Sequence, residues 1–241
     1  MYYRRRIFMP TVQHSRSAKP SFSLSEHKFF LLFLYLLFAL IYYPYIHEHT
    51  YSYNVFRVVG SAGILLAVYA INLRRSLLIC AVLLAVPALL QRMILFRADA
   101  GIFAALTIAL GFAFDAFVVI IIFRHVFTPQ QPNSETVFGA LCIYLLVGFS
   151  FASVYGMIAS LQPKAFYLDP LTNLHAVPDR FDFVYYSFAT MTSLGTNSIT
   201  AVSGQARSAS IMETTLGVLY LAVLIARLIA AYKYPSTMAR D

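Results

Sequence analysis

Phe181-Asp182-Phe183-Val184-Tyr185-Tyr186-Ser187-Phe188-Ala189-Thr190-Met191-Thr192-Ser193, running on into Leu194-Gly195-Thr196-Asn197, decides how this chain is read. The stretch from Phe181 to Ser193 is apolar and aromatic, yet as a helix it would reach only about 20 Å and could not cross roughly 30 Å of hydrocarbon. It lies within Gln162–Arg207, between two runs that are long enough to cross, Val137–Leu161 and Ser208–Ala231. A short helix that enters the membrane and returns fits this placement. Asp182 is expected to cap it, with Pro178 and Asp179 as start signals just upstream. Thr192-Ser193-Leu194-Gly195-Thr196-Asn197 then brings hydroxyl side chains with one glycine and one asparagine, the residue types that most readily take left-handed backbone angles. Non-helical backbone at membrane depth is tolerated only where protein buries it or where it lines a watery cavity.

Working outward, four more apolar runs precede this region: Phe29–Ile46, Phe56–Leu73, Ser76–Phe96 and Gly101–Phe123. The third is the weakest, because Pro87, Gln91 and Arg92 interrupt it. The whole chain of 241 residues is 60% hydrophobic and 12% charged with a mean hydropathy of +0.70. Soluble domains carry about 25% charged residues, so a cytosolic enzyme and a disordered tail are both excluded. The expected fold class is an all-α membrane protein of six transmembrane helices with a re-entrant segment between the last two. The expected organisation is a basic N-terminal segment (1–28), a four-helix bundle (29–127), a linker, TPQQPNSET (128–136), a two-helix module (137–231) and a short tail (232–241).

The net charge of +8 sits in loops and termini and is not gathered on a water-facing surface, so no nucleic-acid partner is expected. With the N-terminus inside, twelve of the 18 Lys and Arg fall on the cytoplasmic side, which supports an even number of crossings with both termini cytoplasmic. Cys80 and Cys142 lie in apolar runs and imply neither a disulfide framework nor a metal site. No cofactor is expected, and no soluble partner is readable. Walker-type loops, His-Glu-x-x-His and nucleophile elbows are missing from the sequence, so no enzyme motif competes.

The stretch from Asp182 to Gly195 resembles the pore helix and filter entry of the tetrameric potassium-channel superfamily. The sixth run, Arg207-Ser208-Ala209-Ser210-Ile211-Met212-Glu213-Thr214-Thr215-Leu216-Gly217 through Ala226-Arg227-Leu228, is similar to the inner helix of its bacterial members. Together the resemblance covers residues 137–231. It implies an ion channel of a bacterial-type plasma membrane, with Thr192, Ser193, Leu194, Gly195, Thr196 and Asn197 as the ion-conducting filter. Main-chain carbonyls from four chains would replace the water of a permeant K+ or Na+, so the expected partner is the chain itself, as a homotetramer in lipid. A monovalent cation at the filter backbone is the only metal implied. Asp182, Tyr186, Thr190 and Glu213 fall to the pore helix and its support. The family's filter reads Thr-Val-Gly-Tyr-Gly-Asp, where this chain has Ser193-Leu194-Gly195-Thr196-Asn197-Ser198. Thr196 replaces an aromatic that holds the filter at its diameter, Asn197 a glycine, and Ser198 an Asp that anchors the outer end. A monovalent-cation pore with weakened potassium selectivity is expected.

The fourth run carries no ladder of basic residues of the kind that supplies about 2.3 kcal/mol per charge per 100 mV, so weak voltage dependence is expected. It carries instead one intramembrane acid, Asp115, which reads either as a functional group or as a structural acid paired with a neighbouring helix. Gly217 reads as a gating hinge or as a site of close packing. Glu213 reads as a contact to the back of the pore helix or as an interhelical hydrogen bond. His47-Glu48-His49 lacks a convergent third ligand and reads as a solvated loop. Two alternatives to a conducting channel stand beside this reading: a regulatory or binding membrane protein that keeps the channel fold without conducting, and a small transporter.

Overall fold

The computed structural model describes residues 28–42, 63, 66, 67, 69, 79, 82–86, 102–127, 134–173, 176–195 and 198–232. The basic N-terminal segment before Lys28, most of the second and third apolar runs, the linker up to residue 133, Thr196, Asn197 and the tail after Tyr232 lie outside the described residues. The chain runs α1 (Lys28–Tyr42), α2 (Ile102–Phe127), α3 (Ser134–Leu161), β1 (Phe166–Leu168), α4 (Arg180–Met191), β2 (Ile199–Ala201) and α5 (Gly204–Tyr232). It is a mostly helical membrane protein. Among the described residues, three helices are long and apolar enough to cross: Ala109–Phe127, Ser134–Leu161 and Gly204–Ile229.

Local chemistry explains several of the described helix ends. α1 is described from Lys28 to Tyr42, and the rest of the expected run to Ile46 lies outside the described residues. α2 runs on past Phe123 to Phe127, where Arg124 and His125 occupy the last turn, facing the partial negative charge of the carbonyl end. α3 begins at Ser134, so the last residues of the expected linker are its first turn. There the Glu135 carboxylate accepts the Phe29 N–H at 2.9 Å, placing one negative charge at the start of two helices at once. α5 begins at Gly204, four residues before the expected Ser208, because Ser203 Oγ accepts the Ala206 N–H at 3.2 Å and caps it.

Two cores hold these elements. The first joins Phe29, Leu32 and Leu36 of α1 to Phe114, Val118, Ile122 and Val126 of α2, a stripe at four-residue spacing, and to Ala140, Ile143 and Leu146 of α3. α2 comes close to α3 at Gly139, where a Cβ would stand 2.8 Å from Val126 Cγ2. The first and fourth runs therefore pack directly on the fifth. The second core is aromatic: Tyr155 of α3, Phe166 of β1, and Phe183 and Tyr186 of α4 meet edge-on with ring centroids 5.0–5.6 Å apart.

The two strands were not expected from the sequence. They pair antiparallel, Phe166 with Ala201 and Leu168 with Ile199. Phe166, Leu168, Ile199 and Ala201 point inward while Tyr167 and Thr200 point out, the two-residue alternation of a half-buried ribbon. Three residues each are too few for that alternation to register in the sequence.

Candidate pore site

α4 is the short helix expected between the last two long ones, twelve residues from Arg180 to Met191. Its start differs from expectation. Asp182 is not the cap: Asp179 caps the helix, its Oδ1 accepting the Asp182 N–H at 2.9 Å, while Asp182 Oδ2 accepts the Asp179 N–H at 2.8 Å. This reciprocal pair satisfies two of the N–H groups that a helix start leaves without intrahelical partners. The Asp-x-x-Asp spacing was the signal for it, because a cap needs its partner three residues on.

The other end of α4 turns out of helix by a defined motif. Ser193 has φ of 57°, the Leu194 N–H donates to Ala189 O at 2.8 Å, and the Ser193 N–H donates to Thr190 O at 3.0 Å. These are the two bonds of a Schellman ending, with serine in the left-handed position that glycine usually takes. Gly195 follows with φ of 75°, its N–H also directed at Ala189 O, at 3.4 Å. A Cβ at Gly195 would meet nothing within 4 Å, so backbone angle and not space calls for glycine there. Across Ser193, Leu194 and Gly195 the sign of φ alternates, which is not strand backbone. The N–H groups of this stretch fold back onto α4, and among the described residues the carbonyls of Thr192, Ser193, Leu194 and Gly195 accept no hydrogen bond. All four residues are exposed on the isolated chain, Leu194 by 74%.

α4 is wedged between α3 and α5 at two glycines. A Cβ at Gly148 would lie 2.8 Å from the Phe188 ring, and one at Gly217 would lie 2.6 Å from Met191 Cγ and 2.8 Å from its carbonyl oxygen. The geometry at Gly217 is thus the close packing that the sequence left open beside the hinge. An apolar cavity of about 300 Å³ opens beside this contact, lined among others by Val119 and Phe123 of α2, Tyr144 of α3 and Tyr220 of α5. Asp115 lies half-buried on α2, one turn before Val119.

Polar contacts lock the wedge. Glu213 of α5 is fully buried; its Oε2 accepts the Tyr155 hydroxyl at 2.5 Å and its Oε1 meets the Ser187 hydroxyl, which also reaches Gly148 O at 2.7 Å. One carboxyl group therefore joins all three helices. Tyr186 shares a hydrogen bond with Ser210 of α5 at 2.8 Å, and Thr190 O accepts the Thr214 hydroxyl at 3.3 Å. So Tyr186, Thr190 and Glu213 come together around α4, as do Thr192 to Gly195 at its end, while Asp182 lies at its opposite end. Thr196 and Asn197 lie outside the described residues. Sequence reading assigned no role to Tyr155, Ser187 or Gly148. The available signal was a buried-acid argument: an acid among apolar residues needs donors, and Tyr155 and Ser187 are hydroxyls inside apolar elements.

Residues 139–234 match the Ion_trans_2 family model, described as an ion channel. The match covers 96 of the 241 residues, and this segment is similar to that ion-channel family. The match opens within α3 and closes just beyond α5, so α4 and the backbone that leaves it sit inside a channel-type segment. No curated protein and no solved structure matches the chain.

Proposed function

We propose that the protein is the subunit of a homotetrameric cation channel, conducting K+ and Na+ through a central pore lined by four copies of Thr192 to Asn197. The observation that carries this reading is the exposed run Thr192–Gly195 that leaves the helix, whose N–H groups are tied back to Phe188, Ala189 and Thr190 while its carbonyls stay unengaged among the described residues. Such carbonyls are the chemical means of replacing an ion's water. One chain supplies one strand of them, and identical copies close into a ring about a symmetry axis. α4 would direct its partially negative carbonyl end toward that axis, which favours a cation over an anion.

Residues 137–231 would then be the conducting module, with the helices of 29–127 arranged around it and both termini in the cytoplasm. Thr196, Asn197 and Ser198 stand where the family has an aromatic, a glycine and an acid, and this supports weaker discrimination between K+ and Na+. α2 has no basic residue before Arg124 in its last turn, and this supports gating without a voltage sensor.

Purified protein in planar bilayers tests the reading. Unitary cation currents with a reversal potential well short of the potassium equilibrium value, and a shallow conductance–voltage curve, are the expected results. Absence of unitary currents would sink conduction, a reversal at the potassium potential would sink weak selectivity, and a steep curve would sink voltage independence.

A further inference from the structure

Ser198 stands where an acid would anchor the outer end of the filter in related channels, and its side chain is not what secures the chain here. Its carbonyl is. Ser198 O accepts the Asn173 side-chain amide at 2.7 Å and the Asp169 backbone N–H at 3.0 Å. A carbonyl oxygen has two lone pairs, so both are occupied and the plane of the peptide after Ser198 is set from two directions.

Both donors come from the turn that follows β1, on the far side of α4 in sequence. That turn is itself fixed. The Asn173 amide makes a second bond to Asp169 O at 2.9 Å, the Asn173 N–H returns to the same oxygen at 3.1 Å, and Asp169 Oδ1 accepts the Leu171 N–H at 3.0 Å. The contact continues directly into the ribbon, where Leu168 pairs with Ile199. Phe166 of that ribbon stacks edge-on against Phe183 and Tyr186 of α4, so the turn and the helix share one rigid support.

The backbone after α4 is therefore tethered twice: at Gly195, whose N–H is directed at Ala189 O of α4, and at Ser198, whose carbonyl is held by Asn173 and Asp169. Three residue steps separate the tethers, at most about 11 Å of extended chain. We propose that Asn173 is a positioning residue for the outer end of the filter, taking over by its side-chain amide the anchoring task that an acid at position 198 would perform. The inference rests on the channel reading above. Two carbonyl acceptors demand a donor at this place, and the carboxamide nitrogen offers two protons to them.

Asn173→Ala and Asn173→Asp in the full chain test it by two readouts. Aspartate has the shape of asparagine but turns an acceptor toward two carbonyls, so a role in donating hydrogen bonds makes it worse than alanine, whereas a space-filling role makes it milder. Amide hydrogen exchange of the tetramer should quicken at least tenfold in 195–201 and stay unchanged within α4, more in Asn173→Asp than in Asn173→Ala. In bilayers, the K+/Na+ permeability ratio should fall at least threefold in the same order. Unchanged exchange, or the reverse order of the two variants, overturns the clamp. Quicker exchange with an unchanged permeability ratio overturns its role in positioning the filter. A wild type that passes no current would refute conduction alone, and the exchange pattern would still decide whether Asn173 holds this segment.

Discussion

Replacing Glu213 by alanine should be among the most damaging single changes in the described helices, and replacing it by glutamine should cost less. Glu213 and Tyr155 are both fully buried, so no water can take over the bond between them. Alanine removes the acceptor of the Tyr155 hydroxyl and leaves that hydroxyl stranded, at about 1–3 kcal/mol; the lost hydrogen bonds add about 0.5–1.5 kcal/mol each. The void left by a long side chain adds to this. We expect roughly 3–5 kcal/mol in all. Glutamine keeps most of this network: its oxygen accepts from Tyr155, one N–H donates to Ser187 Oγ, and Ser187 donates on to Gly148 O, while its second N–H is left over, so the cost should be about 1–3 kcal/mol and below that of alanine. The chain has no tryptophan, so unfolding in mixed detergent micelles is best followed by far-ultraviolet circular dichroism. An alanine variant within 1.5 kcal/mol of wild type, by the scale just given, or a glutamine variant as unstable as the alanine one, would refute Glu213 as the tie between α3, α4 and α5.

Gly217→Ala places a methyl against both the side chain and the carbonyl of Met191; overpacking of this kind costs about 1–3 kcal/mol. Lower stability is expected, and trimming Met191 to alanine should restore only part of it because the carbonyl remains; normal stability with altered gating alone would instead favour the hinge. Asp179→Ala should cost about 0.5–2 kcal/mol through loss of the cap, measured by the same unfolding assay, and no change would mean that the capping box carries no weight in forming α4. Thr196→Tyr combined with Asn197→Gly should raise the K+/Na+ permeability ratio without changing the mass of the assembly in native mass measurement; an unchanged ratio would disconnect these two positions from selectivity.

Much of the architecture could be read without coordinates wherever a single run of residues contained its own explanation. Val137–Leu161 and Ser208–Ala231 are long enough to cross, and Phe181–Ser193 is not; length against hydrocarbon thickness was sufficient to separate them. The boundaries then moved by a few residues for reasons equally local, such as Ser203 before α5. Asp179 belongs with these, since its partner is only three residues away.

The candidate pore site divides differently. Its address in the chain was legible, from Asp182 to Gly195 and on to Glu213, because residue types alone mark a short helix, a glycine able to take a left-handed angle and an acid among apolar residues. What the acid does was not legible, since Tyr155 is 58 residues from Glu213 and Ser187 is 26. Nor was the left-handed turn at Ser193, because serine has no preference for that angle and adopts it here only with Ala189 and Thr190 carbonyls placed to receive its neighbours. Asn173 is the plainest case: a polar residue in a polar loop, unremarkable until the chain folds and sets it against Ser198, 25 residues on. Sequence alone therefore determined that Val137–Leu161 and Ser208–Ala231 are long and apolar enough to cross a membrane and that Phe181–Ser193 is not, a matter of apolar length. Only the tertiary structure decided what ties α4 to its neighbours at Glu213 and holds the chain beyond it at Ser198, because hydrogen bonds act over about 3 Å and residues 25 to 58 positions apart meet only once the chain has packed.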